Sequence, residues 1–300
     1  MNFFESYKID NNITCIKGVV FDELMYLIEG TERAVLIDTG LGVGNIRKYV
    51  DSLTSLPYIV LHTHVHLDHI GGSFLYESVY INAKDFSLLN NLDRDVKRRK
   101  SYIESTYKNG CVQENDYIPV RQIEFLTIED KDMFELGEIT VESIITPGHT
   151  KGSLSFLIKE KRILITGDAC NPFTMVFLDE STSIEEYQTS LLNLLERADE
   201  YDEVYVSHTY HKVPKSIIQD AYDCCTDIII GNTDDIPFEF FGQEAGQECY
   251  MAKTQNANGI REDGKLVNIF YSKKKIYTEN AYQTKFTQDE LIAIEAVLSN

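Results

Sequence analysis

Four of the chain's seven histidines fall within eight residues, in the run HTHVHLDHIGG from His62 to Gly72, and Asp68 stands among them. Side chains of an extended segment alternate faces, so His62, His64 and His66 can all point the same way. Two imidazoles at that spacing can grip one metal ion, and a turn then brings Asp68 and His69 to a second position beside it. Neutral imidazole and carboxylate are the ligands expected for zinc or a similar divalent ion. A lone histidine is more often a surface or core residue than a ligand; four with an aspartate make that bland reading weak. Three further candidates each stand at the C-terminal end of an expected strand: His149 in TPGHTKGS, Asp168 after ILITG and His208 after VYVS. Loops at strand ends are where layered α/β proteins assemble their sites.

The elements that must position these residues are legible as short strands and capped helices. Runs rich in Ile, Val and Leu predict strands at residues 13–20, 23–30 and 34–40, and again at 58–62, the strand that delivers the histidines. A helix is expected over residues 45–53 and another over 85–108, which includes the basic run Lys97–Lys100. Strands return within 133–146, 153–160 and 162–168. Ser183, with Glu186 three residues on, has the spacing of a capping box and predicts a helix there. A strand at 203–208 and a helix at 215–230 follow. Strands in two groups, each followed by helices, predict a layered α/β or α+β domain. After Gly231 the sequence becomes polar-aromatic. GIREDGKLVNIFY predicts two strands around an Asp263-Gly264 turn, and Thr287 with Glu290 predicts a capped terminal helix. There is no internal repeat.

Composition narrows the function. With 43% hydrophobic and 25% charged residues over 300 positions, the chain is ordinary globular protein with enough length for a large core. Its net charge of −20 disfavours nucleic acid and anionic membranes as partners. The N-terminal residues lack a signal-peptide pattern and no stretch has the length of a membrane span, so a cytoplasmic location is expected. The six cysteines show no metal or disulfide spacing and predict free thiols. The sequence carries no signal for an oligomeric state.

HVHLDH, PGHTKGS, TGD and SH, in that order, resemble the motifs of the metallo-β-lactamase-fold metallohydrolases, and LIDTG at residues 36–40 is similar to a strand-end motif of that family. The resemblance covers roughly residues 13–230. It implies an αββα sandwich of the α+β class, with residues 1–230 as the catalytic domain and 231–300 as a C-terminal extension, partly β with a terminal helix. It further implies that Asp38 braces the metal loop. His64, His66 and His149 would bind one ion, and Asp68, His69 and His208 another. Asp168 would bridge the two. The ions would be divalent, zinc first, with iron and manganese also compatible. Asp68 and Asp168 would serve catalysis, in which a metal-bridging hydroxide attacks an ester or thioester carbonyl. Asp168 places the chain nearer glyoxalase II-like, acyl-thioesterase-like and lactonase-like hydrolases than true β-lactamases. His66 separates it from the flavodiiron reductases, which have Glu there. The expected substrate is a small-molecule ester or thioester, with acyl-thioesters of glutathione or coenzyme A leading. The rivals are a lactonase or β-lactam hydrolase and, outside catalysis, a metal-binding sensor or partner-binding module. The partly β extension differs from the helical domain with which glyoxalase II holds glutathione.

Several residues carry two readings. His62 is either a support for the metal loop or an accidental surface residue. His211 reads as a cavity-rim residue, and Cys170 as packing. Phe173, Met175 and Phe177 alternate, as in a core strand or the lining of an acyl pocket. Lys97–Lys100 and Lys273–Lys275 are either solvated faces or holders of an anionic substrate tail.

Overall fold

The computed structural model describes residues 2–106, 112–209, 211–239, 247–257 and 259–278. The expected terminal helix and Cys111 lie outside these residues.

The β4 strand (Ala34–Ile37) is buried along its whole length, but its alternate side chains enter different cores. Val35 and Ile37 face one cluster, Ala34 and Leu36 another. The same division runs through β2 (Ile13–Gly18) and β3 (Leu24–Glu29), whereas β1 (Phe4–Lys8) buries only Phe4; the three pair antiparallel in sequence up to β4. Three parallel strands extend the sheet to seven: β5 (Tyr58–Leu61), β6 (Ser78–Ile81) and β7 (Glu124–Thr127).

A second sheet of six strands has the order β14 (Lys212–Val213), β13 (Glu203–Val206), β11 (Ile163–Gly167), β10 (Leu154–Ile158), β9 (Thr140–Ile145) and β8 (Met133–Glu135). Phe156, Ile165 and Tyr205 from this sheet meet Tyr26, Ile28 and Val35 from the first, so the two sheets face one another across a shared apolar core. The outer faces are covered by helices. Ile46 and Val50 of α1 (Ile46–Leu53) pack beneath the first sheet. Leu157, Leu164 and Val204 of the second meet α4 (Ile184–Glu196) and α5 (Ile217–Ile229). The result is the αββα sandwich. Each fully buried Leu or Ile contributes roughly 1.5–3 kcal/mol, which lets the scaffold hold a polar site that is itself costly.

The cap predicted at Ser183 forms, and Asn45 caps the first helix as well. Asn45 accepts the Lys48 amide at 2.9 Å, and Ser183 accepts that of Glu186 at 3.1 Å while the Glu186 carboxylate takes the Ser183 amide at 3.3 Å. The helix expected over 85–108 divides into a 3₁₀ segment at Ala83–Asn91 and α3 (Leu92–Thr106). Its start is held by the Asp85 side chain, which turns inward to accept the amides of Val65 and Gly152.

A small third sheet joins β12 (Phe173–Val176) to β17 (Asn268–Tyr271), β16 (Tyr250–Met251) and β15 (Ile236–Pro237). Of the two strands expected around Asp263-Gly264, only β17 forms. The turn itself is present, with Gly264 at φ 78° and its amide on the Arg261 carbonyl at 3.0 Å. Arg261 makes a single bridge to Gln255, because its buried guanidinium is drawn to the Val267 carbonyl and to Asp263. The alternation of Phe173, Met175 and Phe177 packs with Phe238, Cys249 and Phe270, although Phe173 itself is 46% exposed. None of the helices among the described residues is long and apolar enough to cross a membrane.

Behind β5 the chain turns through α2 (Leu67–Ile70), which docks on the end of β4 where the Thr39 amide and hydroxyl both donate to the His69 carbonyl, at 2.8 and 3.0 Å. Gly71 is needed for proximity rather than for a left-handed backbone: its φ is −60°, but a Cβ there would lie 2.3 Å from the Leu41 carbonyl carbon. Gly71→Ala should therefore lift α2 off β4 and destabilise the fold by about 1–3 kcal/mol, the usual cost of overpacking. A thermal melt of the variant indistinguishable from wild type would refute the close docking.

Candidate metal centre

The end of β4 presents Asp38 at φ 62°, with its carboxylate buried beneath the histidine run. One oxygen accepts the Thr63 amide at 2.9 Å and faces His62 Nδ1 at 3.3 Å. The other accepts the Thr63 hydroxyl at 2.8 Å and His69 Nδ1–H at 2.9 Å. Because Nδ1 of His69 carries that proton, its Nε2 lone pair is turned into the cavity. Thr63 Oγ1 also stands 3.1 Å from His64 Nδ1, so a hydroxyl that donates to Asp38 can accept from His64 and leave Nε2 free. His62 is fully buried, with Nε2 accepting from Ser73 Oγ at 2.7 Å. It is a support of the loop rather than a surface residue.

His66 and His149 are oriented from the other side. His66 Nε2–H donates to Glu180 Oε1 at 2.9 Å, leaving Nδ1 inward. His149 Nδ1–H donates to the Met175 carbonyl at 2.8 Å, leaving Nε2 inward. The inward nitrogen of His66 then lies 2.9 Å from His149 Nε2 and 3.0 Å from His64 Nε2. Three nitrogen lone pairs facing one another repel unless a proton or cation sits among them. Their spacing is close to the ~3.3 Å edge of a tetrahedron built with zinc–nitrogen bonds of about 2.05 Å. The residues present therefore fit a metal ion.

A second donor set adjoins the first. His208 Nε2 stands 3.3 Å from His69 Nε2 and 3.4 Å from Asp68 Oδ2, and His69 Nε2 is 3.5 Å from the same oxygen. Asp168 Oδ2 lies between the sets, 3.3 Å from His208 Nε2, 3.6 Å from His69 Nε2 and 3.7 Å from His149 Nε2. All seven residues singled out in the sequence thus converge, in three groups whose ligand atoms lie within 4.8 Å of one another.

The two halves differ in charge. Burial, reinforced by nearby His66, pulls His149 down to about 4, so its imidazole is neutral at neutral pH and ready to bind metal. Burial likewise lowers His64. At the other end burial opposes charge, yet the Asp168 and Asp68 carboxylates hold His208 up at about 10. His69 is raised in the same way, chiefly by Asp68 and Asp38 against its burial. The carboxylates of this half call for positive charge, which protons supply in the absence of a metal.

Other residues of the site had no signal in the sequence. Asp85 ties the two ligand loops together: its carboxylate accepts the Val65 amide at 3.2 Å, the Thr150 hydroxyl at 2.8 Å and the Gly152 amide at 2.7 Å. Glu23 is buried where its backbone bridges to His208. Burial pushes its carboxyl up to about 7, and Oε1 accepts the Leu41 amide at 2.9 Å.

Four residues of the two basic runs are engaged by the fold's own groups. Arg99 is buried, with Nη1 on the Leu41 and Gly42 carbonyls at 2.9 and 3.2 Å, and Lys100 pairs with Glu114 at 2.5 Å. Lys273 pairs with Asp235 at 2.8 Å, and Lys275 is drawn to backbone carbonyls. His211 packs edge-on against Tyr7 and Tyr205. Cys170 is buried against α5, in keeping with packing, and the five described cysteines are all free.

Comparison with known proteins agrees with this geometry. Residues 18–208 match the family model described as Metallo-beta-lactamase superfamily. The chain is 26% identical over 190 residues to acyl-coenzyme A thioesterase MBLAC2 of Homo sapiens, covering 58% of this chain and 68% of that protein. It is 24% identical over 222 residues to the probable polyketide biosynthesis zinc-dependent hydrolase PksB of Bacillus subtilis (strain 168), covering 72% and 85%. Among solved structures, a metallo-beta-lactamase from Pontibacter korlensis superposes with a TM-score of 0.54 at 16% identity, over 73% of this chain and 97% of that one.

Asp38→Asn isolates the buried charge, since Asn also tolerates the left-handed backbone. Its amide nitrogen would face a donor, and His69 would lose its anchor. The expected cost is about 3–5 kcal/mol, as for breaking a buried ion pair. A urea midpoint equal to wild type would remove Asp38 as the anchor.

Proposed function

The chain belongs to the metallo-beta-lactamase superfamily and is a metallohydrolase of that superfamily, and from this premise we propose that it hydrolyses acyl-thioesters at a dinuclear metal centre. His64, His66 and His149 would hold one ion, Asp68, His69 and His208 the other, with Asp168 between them. Zinc is the first choice, given the imidazole and carboxylate donors and the zinc-dependent relative. The observation that carries the reading is the position of Asp168 Oδ2, which stands 3.3–3.7 Å from ligand atoms of both sets. A single carboxylate oxygen shared in this way neutralises the repulsion between two cations.

A bound metal pair supplies a water acidified towards neutral pH and a Lewis acid for the carbonyl oxygen. The chain's own residues supply the rest. Asp38 and Thr63 fix His69 and His64, Glu180 and the Met175 carbonyl fix His66 and His149, and Asp68 with Asp168 balances the charge. The chemistry therefore needs no serine or cysteine nucleophile, and the buried thiols take no part. The acyl-coenzyme A thioesterase relative supports a coenzyme A thioester above a glutathione one. Phe173 and Met175, on the strand whose carbonyl orients His149, offer an apolar surface for the acyl group. In this reading residues 1–230 carry the catalytic machinery in the cytoplasm, and the extension from 231 takes part in substrate recognition.

Two measurements test the proposal. The zinc-reconstituted chain should hydrolyse acyl-coenzyme A measurably and bis-p-nitrophenyl phosphate negligibly, as a site specialised for a carbonyl would. Faster phosphodiester, lactone or β-lactam cleavage would reverse the assignment. Asp168→Asn keeps the side-chain volume but removes the shared charge. It should leave circular dichroism near wild type, release about one metal per chain, and slow turnover by about two orders of magnitude, on the order of 3 kcal/mol in barrier. Full activity with both metals retained would rule out a bridging Asp168.

A further inference from the structure

The loop from β12 to α4 supplies the outer partners of two histidines in one metal-ligand set. Met175 gives its carbonyl to His149, and Glu180 its carboxylate to His66. The same loop grips the His149 turn through backbone: Ser181 Oγ donates to the His149 carbonyl at 2.7 Å, Thr182 N to Gly148 O at 3.0 Å, and Lys151 N to Glu180 O at 3.2 Å. What holds the loop in turn comes from the far end of the sequence. The β17 strand runs parallel to β12, pairing Met175 with Phe270 and Val176 with Tyr271. Two residues past its neighbour Lys273, Lys275 extends Nζ into the Leu178–Ser181 turn, where it donates to the carbonyls of Leu178, of Asp179 at 2.9 Å and of Ser181 at 3.1 Å. The Glu185 amide at the start of α4 closes the link on the Ile276 carbonyl at 3.1 Å.

Three carbonyl oxygens converging on one point repel each other without a cation among them, and Lys275 supplies it. The residues on either side of Glu180 are the ones so fixed. We propose that Lys275 is a positioning residue of the metal centre. Its ammonium sets the turn that keeps Glu180 on His66, and through it the extension governs the affinity of the His64–His66–His149 site. The inference rests on the reading of that cluster as a metal site. It assigns the extension a role separate from substrate recognition.

The test is zinc binding to the full chain, titrated against a chromophoric chelator. Wild type should bind two ions. Lys275→Met keeps the aliphatic stem but loses the ammonium, and should weaken one ion on the order of tenfold while leaving the other unchanged. Glu180→Gln should weaken the same ion by about 10–100-fold, the usual effect of removing a ligand's outer partner. Because both act through one contact, the double variant should lose no more than Glu180→Gln alone. Lys275→Arg should restore binding, and Lys273→Met, which breaks the pair with Asp235 and the contact over the Tyr250 ring, should bind zinc as wild type does. If circular dichroism shows Lys275→Met unfolded, Lys275→Gln carries the same comparison. Unchanged zinc affinity, losses that add in the double variant, or an equal loss in Lys273→Met would overturn the role of Lys275 alone. A wild-type chain that binds no zinc would overturn the metal reading and this inference with it.

Discussion

The structure turns on a single buried carboxylate. Asp38 has no water to solvate it, and burial by itself would favour the neutral acid; His69 and His62 instead hold it below the ordinary carboxylate range. An anion kept charged in such a place must be met by donors from every side. The donors it recruits are the Thr63 amide and hydroxyl and the His62 and His69 rings, all from the segment that follows β5. Satisfying one charge thus fixes the direction of the whole histidine run. The rest of the sandwich can be read as the means of delivering β4 and β5 side by side, in parallel register, so that this contact forms.

The remaining ligands are fixed by a division of labour. The first sheet provides the floor, through Asp38, and the second provides the ends of β11 and β13, which carry Asp168 and His208. Buried carboxyl groups link the parts that no strand pairing joins: Asp85 binds the loop of Val65 to that of Thr150, and Glu23 sits where the two sheets meet at His208. Each such group costs free energy to bury, and the large apolar core between the sheets offsets it. Individual candidate ligands are then tuned in opposite senses by the same means. Burial dominates at His149 and keeps it neutral, whereas carboxylates dominate at His208 and keep it charged.

All seven candidate ligands were legible in the sequence because metal chemistry demands particular residue types at strand ends, and strand ends are visible as apolar runs. Asp38 and the sandwich were legible only through the resemblance to a known family. Glu180 was not, since nothing in LDE distinguishes a carboxylate that meets a histidine 114 residues earlier. Asp85 looked like an ordinary helix-start residue, though its side chain faces inward. The basic runs carried two readings, solvated faces or holders of an anionic tail, and neither foresaw that Arg99 and Lys275 are spent on backbone carbonyls, a use that leaves no pattern in sequence. The hairpin at Asp263-Gly264 failed on one side because Arg261 is occupied by its own loop.

The parallel pairing of β12 with β17 has a consequence for how the protein is made. During synthesis both large sheets can be complete once β14 has left the ribosome, with every candidate metal ligand already in the chain. The strand beside Met175 and the lysine beneath Glu180 arrive only with residues 268–275, so the rings of His66 and His149 wait for their final orientation. A nascent chain of that length would be a sandwich with its histidines present but two of them unaimed.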